Sequence, residues 1–368
     1  MQTCDRSSAR WARALASSLC ACVCALGAAR PAWTQTLGVP VAPAGNPITV
    51  DKAQLGKALF WDEQLSSSRT VACGTCHVLE VGGIDPRTAS AGGRATHPGP
   101  DALFGTADDV LASPGVPLAD AQGAYVFDAL FGLEPRVTPR RAPTVINAAF
   151  APELFWDGRA SGTFHDPVTG AVVLASGAAL ESLVAEPPVN VVEMGHCAWS
   201  DVVARIEAVA PLALSPSVPA PLAAWIAGRS YGELYAVAFG TPDVTAARTC
   251  MAIATYLRTL VSDQTPYDQF VGGDPNALTS IEQAGRLVFQ AAHCGDCHVE
   301  PALTSQGFKY TGVRPRADAR SLHGVRGRHR AWRDEGPGPA QQHAARAVLP
   351  YGRQAHARRR PRLLFGRR

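Results

Sequence analysis

Charge is what this sequence has least of. Only 18% of its 368 residues are charged while 46% are apolar, which excludes a disordered chain and leaves room for a full core and two domains. The formal net charge of +3 hides an uneven distribution, since much of the positive charge lies beyond residue 316 and the rest of the chain is acidic. Sustained two-residue alternation is missing, which excludes a fold built on large sheets. A membrane-length apolar run is missing too. The apolar stretch at residues 14–29 is short and weakly flanked, and with Arg6, Arg10 and Arg13 before it and the small residues Gly27, Ala28 and Ala29 at its end it reads as a secretory signal occupying 1–35. The expected location is the periplasm. Leu19-Cys20-Ala21-Cys22 loosely resembles a lipoprotein cleavage box, which makes anchoring the alternative; otherwise Cys20, Cys22 and Cys24 leave with the signal.

Export places the remaining cysteines in an oxidising compartment, where a disulfide framework is the default. Their spacing argues otherwise. Cys73-Gly74-Thr75-Cys76-His77 and Cys294-Gly295-Asp296-Cys297-His298 take four of the six, leaving Cys197 and Cys250 as free thiols or as one bridge. In a c-type haem site two cysteine sulfurs add to the two porphyrin vinyl groups, and the adjacent histidine supplies a ring nitrogen to the iron. Cys73, Cys76 and His77 are therefore assigned to one haem, and Cys294, Cys297 and His298 to a second. Zinc sites and redox dithiols also use Cys-x-x-Cys, but neither explains a histidine directly after each pair.

Helical spacing precedes both motifs. Residues 51–60 (DKAQLGKALF) follow a capping-box-like Asp51 and Gln54, and residues 280–289 (SIEQAGRLVF) follow Ser280 and Gln283. The shared Gly56-x-x-Leu59-Phe60 and Gly285-x-x-Val288-Phe289 pattern makes this an internal repeat of helix and haem loop. Residues 200–209, 221–227, 232–239 and 245–261 are also helical in pattern. Residues 82–117 form a long Gly/Pro-rich loop, and residues 263–276 read as a connector. The expected fold is mainly α, with two cytochrome c-like haem domains in tandem and long loops: an N-terminal haem domain at 36–272, and the start of a C-terminal cytochrome domain at 273–316.

From Gln54 to about Arg314 the chain resembles the bacterial di-haem cytochrome c peroxidase family, which includes the MauG-like di-haem enzymes. LGKALFWDEQLSSSRTVACGTCH, RRAPTVINAAFAPELFWDGRA, ALESLVAEPPVNVVEMG, LVSDQTPYDQF and ALTSIEQAGRLVFQAAHCGDCH occur in the family's order. The resemblance implies an N-terminal haem where peroxide is reduced and a C-terminal haem that relays electrons to it. It also implies a distal acid and base shortly after Phe155-Trp156-Asp157-Gly158-Arg159, and Leu180-Glu181 fits that place once residues 161–177 are taken as an insertion. From the residues alone, Glu181 is an ordinary helix glutamate. Arg159 has two readings, contact with peroxide or a propionate, and pairing with Asp157 or Glu181. Met194 reads as core, with its thioether as the alternative iron ligand. Relatives that need reductive activation carry a distal histidine near Leu133. This chain has none there, and His97, in a Gly/Pro-rich loop, reads as a surface residue, so the first haem is expected to be open as in the MauG-like branch. Calcium, which the resemblance allows, is disfavoured because the usual asparagine is Arg141.

After Arg316 the family pattern stops. The tail at 317–368 has neither lysine nor methionine and is dominated by Arg, Ala, Gly and Pro, with too little aromatic interleaving for a nucleic-acid site. It reads as a frameshift product: allowed codons from Arg346 onward, displaced by one nucleotide, can spell APYFHTGGKHTLEDVLDYF, which resembles the family ending. The second haem's distal ligand then falls in the replaced region; Tyr310 and Tyr351 are the tyrosines left nearby. The expected function is reduction of hydrogen peroxide to water with electrons from a small cytochrome c or copper protein. A MauG-like oxidase acting on a protein or organic substrate and a non-catalytic di-haem electron carrier are the rivals, and the resemblance also allows a homodimer.

Overall fold

A computed structural model describes residues 37–89, 95–120 and 123–307. The export signal, the tail with its frameshift reading, Tyr310 and Tyr351 lie outside the described residues. The described chain is mainly helical, as its patterning requires: α1 Val50–Trp61, α2 Cys73–Cys76, α3 Ala179–Val184, α4 Trp199–Ala208, α5 Ala220–Ile226, α6 Tyr231–Phe239, α7 Ala246–Arg258, α8 Pro266–Val271 and α9 Ser280–Ala291. Two small antiparallel hairpins join them. β1 (Thr96–His97) pairs with β2 (Val110–Leu111), and β3 (Phe164–His165) with β4 (Val172–Leu174). The second hairpin is the segment read as an insertion. Among the described residues no helix is long and apolar enough to cross a membrane.

The core is built around α7, whose every residue from Ala246 to Arg258 is buried except Arg248; its polar Thr249, Thr255 and Arg258 are buried with hydrogen-bond partners. Helix α1 lies directly on it and buries Leu55, Ala58, Leu59 and Phe60. Gly56 makes this approach possible, because a Cβ there would sit 1.9 Å from the Ala252 carbonyl oxygen. A polar latch crosses the same contact. Glu181 of α3 receives two hydrogen bonds from the Arg258 guanidinium, at 2.7 and 2.8 Å, and a third from Asn46 Nδ2 at 2.7 Å. Lys52 of α1 donates to Asn46 Oδ1 at 3.2 Å and lies over the Phe239 ring. Glu181 and Arg258 are both fully enclosed, so removing either partner would leave a buried charge alone, at a cost of about 3–5 kcal/mol.

The helix starts differ from the pattern by one or two residues. Thr49 caps α1 by accepting the Lys52 N–H, and Asp51 instead accepts from the Trp225 indole of α5 at 2.9 Å. At α9 the box is Thr279 with Glu282, each side chain bonding the other's backbone N–H, while Gln283 reaches back to the Pro275 and Leu278 carbonyls. A hydroxyl one residue further upstream wins because it can fold back on the third helical N–H. The segment read as a connector at 263–276 contains α8, held by a Thr265–Asp268 box. Cys250 is buried, Cys197 is exposed, and both are free thiols, so the bridge between them does not form.

The two repeats differ sharply in packing. α9 has no buried residue, and Ile281, Leu287 and Val288 are 82%, 64% and 67% exposed. Gly285, the counterpart of Gly56, faces open space among the described residues. The same substitution should therefore act oppositely in the two repeats. Gly56→Ala should cost more than about 3 kcal/mol through overpacking against backbone, whereas Gly285→Ala should be neutral or stabilise by up to about 1 kcal/mol through helix propensity. Denaturant unfolding of both variants measures this; equal effects would refute the packing difference.

Candidate haem site

The first motif is delivered by the end of α1. Trp61 and the buried Asp62 lead into a loop in which Ser66 Oγ accepts the N–H groups of Thr70 and Val71, and the chain then turns through α2. Thr75 Oγ1 accepts the Ala72 N–H at 2.9 Å, and the His77 N–H donates to the Cys73 carbonyl at 3.1 Å. Gly74 rests on the Trp61 ring so closely that a Cβ would lie 2.2 Å from it. The turn is thus fixed from below by an aromatic surface and from within by its own backbone.

His77 is oriented for ligation. Its Nδ1 lies 2.9 Å from the Pro143 carbonyl and 3.3 Å from that of Gly83. Both neighbours are acceptors, so Nδ1 carries the hydrogen and the other ring nitrogen keeps its lone pair. Burial lowers the imidazole's proton affinity, which keeps the ring neutral as a metal ligand must be. Cys73, Cys76 and His77 do not converge into a metal-holding cluster, and no such cluster exists among the described residues. A c-type haem would use the same turn with the two sulfurs on the porphyrin edge and the ring nitrogen at its centre. The second motif repeats the essentials: His298 N–H donates to the Cys294 carbonyl at 3.0 Å, and its Nδ1 faces the Leu303 carbonyl at 3.1 Å. Phe289 stands 5.8 Å from the His298 ring, as Phe60 stands 6.5 Å from His77.

A second wall closes in on the first motif. Val116 N–H donates to the Val192 carbonyl at 2.9 Å, and Ser67 N–H to that of Met194 at 2.8 Å. Gly115 approaches Val192 so closely that a Cβ would lie 1.9 Å from its oxygen. Asn190 Oδ1 accepts the N–H groups of Val192 and Glu193, which fixes the turn that carries Glu193. The Glu193 carboxyl is pushed up from 4.5 to about 7 by burial; Arg159 pulls it down and Glu186 pushes it up. Its charge also reaches both Cys73 and Cys76, whose thiols burial already holds high, at about 12 and about 11. Among the described residues its carboxylate makes no hydrogen bond.

The expected site residues fall in different places. Glu181 sits in the α3–α7 latch with both oxygens engaged by Arg258. Arg159 pairs with Asp157 at 2.9 Å and Glu186 at 2.7 Å, and stacks on Phe155 at 3.7 Å; its carboxylate partners do not include Glu181. Met194 is core. His97 accepts the Gly99 N–H and rests against Phe131, and Arg141 donates to the Leu111 carbonyl. Glu193 is the group the sequence reading passed over. Its segment was in view, but the resemblance pointed to Glu181, and the surroundings that set Glu193 apart arise only from the tertiary fold.

Mainly helical, with cysteine–histidine turns shaped to grip a porphyrin edge and present an axial ring nitrogen, the chain falls in the class of c-type haem proteins. Residues 50–276 match the family described as Di-haem cytochrome c peroxidase, and the chain belongs to that family. It is 28% identical to the cytochrome c peroxidase Ccp of Escherichia coli (strain K12) over 277 residues, 75% of this chain and 43% of that protein. It is 29% identical to the methylamine utilization protein MauG of Methylophilus methylotrophus over 275 residues, 74% of this chain and 59% of that protein. It thus spans about half the length of these relatives. In fold it is similar to a MauG-like protein associated with microbial copper homeostasis, with a TM-score of 0.50 at 23% identity, covering 78% of this chain and 65% of that one.

A buried carboxyl that titrates near neutrality opposes folding once it ionises. Glu193 binds its proton more tightly folded than unfolded, so its contribution to stability is present at low pH and is lost as pH rises toward 7. Replacing it with Gln removes that loss. The stability of Glu193→Gln relative to the native chain should therefore improve between pH 5 and pH 8 in chemical denaturation; a difference independent of pH would show that Glu193 is not held in this state.

Proposed function

We propose that this chain is a periplasmic di-haem peroxidase, which reduces hydrogen peroxide to water with electrons from a small cytochrome c or copper protein. The observation that carries the proposal is the Glu193 carboxyl beside the first Cys-x-x-Cys-His turn, which accepts no hydrogen bond among the described residues and which burial pushes up to about 7 against the pull of Arg159. Bound haem would supply the iron at which peroxide's O–O bond is cleaved. Cys73 and Cys76 would fix the porphyrin edge, and His77 would be the axial ligand, steered by the Pro143 carbonyl. Heterolysis needs a group that takes the proton from the near oxygen and returns it to the departing one. Glu193 is suited to this because it can hold or release a proton at working pH. We assign Glu181, the residue first expected in that role, to the buried latch, since an oxygen pair saturated by a guanidinium and an amide has no free site for a peroxide proton. Arg159 acts through its field on Glu193 and is a positioning residue. Cys294, Cys297 and His298 would hold the relay haem.

The MauG-like alternative, oxidation of a protein or organic substrate, draws support from His97, which is tied into its own hairpin. With no histidine to displace, the first haem would react with peroxide before any reduction of the second. A non-catalytic carrier would not react with peroxide at all.

Two substitutions test the assignment. In the haem-loaded chain, Glu193→Gln should lower peroxide turnover on the order of 10²–10⁴-fold while sparing haem content. Glu181→Gln should retain turnover per folded haem but lose about 3 kcal/mol of stability. Full turnover in Glu193→Gln, or its selective loss in Glu181→Gln, would reverse the roles.

A further inference from the structure

Two of the three side chains assigned to the first haem, His77 and Cys76, are gripped from one short loop. The chain after His77 folds back so that the Val78 N–H donates to the Ile84 carbonyl at 3.1 Å, and it ends in a single 3₁₀ turn at Pro86–Ala89. Gly83 of this loop turns its carbonyl to His77 Nδ1. Arg87 reaches Cys76, with Nη2 3.2 Å from the sulfur. On another side the sulfur lies 3.9 Å from the Pro114 carbonyl, which its S–H can meet. Cys76 is thus oriented by a donor and an acceptor together.

The arginine is itself fixed. Asp85, whose side chain is fully enclosed, accepts Arg87 Nε at 2.9 Å, Nη2 at 2.7 Å and the Arg87 backbone N–H at 2.9 Å. Thr88 Oγ1 closes the turn on the Asp85 carbonyl at 2.7 Å, and Nη2 also donates to the Pro114 carbonyl at 2.9 Å. Nη2 carries two hydrogens and faces three acceptors, so the sulfur, at the longest distance, shares one of them. A forked pair of this kind sets direction as well as energy, and here the direction is toward one cysteine. Among the described residues the Cys73 sulfur has no such donor, and in the second motif Cys294 meets only the Ala292 carbonyl, at 3.9 Å.

We propose that Arg87 is a positioning residue for covalent haem attachment, holding the Cys76 sulfur in place to form its thioether bond at the first motif. In each attachment a cysteine S–H adds across a vinyl double bond. The S–C bond forms at the carbon next to the porphyrin ring, the S–H bond breaks, and its hydrogen ends on the terminal carbon; nothing leaves, and there is no net oxidation or reduction. With Cys73 attached, the addition of Cys76 is intramolecular, and its rate follows the fraction of time its sulfur spends in reach of the vinyl carbon. An unrestrained cysteine divides that time among staggered rotamers. The Arg87 contact selects one. The proposal rests on the haem assignment and not on the peroxidase reading.

The test expresses the full chain in a bacterium that attaches c-type haem, alkylates every free thiol under denaturing conditions and weighs the haem-bearing peptides by mass spectrometry. In Arg87→Leu the share of first-motif peptide with haem on Cys73 and an alkylated Cys76 should rise at least about tenfold, the retained vinyl should move the reduced pyridine-complex band to longer wavelength, and the second motif should be unchanged. That substitution leaves Asp85 buried without its partner. Asp85→Asn combined with Arg87→Leu removes both charges and should show the same defect, with attachment at Cys73 retained. Arg87→Lys, which lacks the guanidinium fork, should fall between native and Leu. Complete attachment at Cys76 in both Leu-containing variants would overturn the proposal. So would equal loss at Cys73, Cys76 and the second motif, the pattern of general misfolding. A native first-motif peptide without haem would overturn it together with the haem assignment, whereas peroxide turnover does not enter the readout.

Discussion

Helix α1 can lie on α7 only because residue 56 has no side chain, and from that backbone contact the rest of the haem site takes its position. The contact sets the depth at which α1 ends, and so where Phe60 and Trp61 stand. Trp61 then supports Gly74, and Phe60 fills the space beside His77. The Asn46–Glu181–Arg258 latch ties α3 to α7, and Lys52 ties α1 into it at Asn46, through hydrogen bonds with sharp angular demands where apolar packing alone would allow sliding. Its two charges are worth little as a source of net stability but a good deal as a constraint on register.

The cysteine motifs were legible because the chemistry of thioether attachment demands residues at fixed spacing, and the helices before them because amphipathic spacing marks a face. Caps were less legible. Asp51 and Ser280 are good cap residues by composition, but Thr49 and Thr279 lie where the backbone turns, and Asp51 was drawn off by the Trp225 indole. α8 was hidden by the Pro, Gly and Asp residues that suggested a connector; in fact Pro266 starts the helix and Asp268 closes its cap. Glu193 was hidden for another reason. Family order pointed to Glu181, and only the tertiary partners show that its carboxylate is saturated by Arg258 and Asn46 while that of Glu193 accepts no hydrogen bond among the described residues.

The two Cys-x-x-Cys-His turns also show how far local sequence reaches. Locally they match: each histidine donates its backbone N–H to the first cysteine's carbonyl, turns Nδ1 to another carbonyl, and has a phenylalanine beside its ring. All of this is encoded within about twenty residues or by one nearby loop. What separates them is coverage. The first helix buries its glycine against a neighbour, and the second exposes its glycine and its apolar residues alike among the described residues.

The proton chemistry of the first site follows from a competition that no single residue sets. Burial raises the proton affinity of Glu193, and Glu186 pushes the same way. Arg159 opposes both. It does so at reduced strength because Asp157 and Glu186 already share its charge and the Phe155 ring covers one of its faces. The partly neutralised guanidinium leaves the carboxyl near pH 7, where acceptance and return of a proton are closest to balanced. In the proposed role of Glu193, the pairing of Arg159 with Asp157 and Glu186, which by itself looks like an ordinary surface ion pair, would help keep the carboxyl usable in both directions.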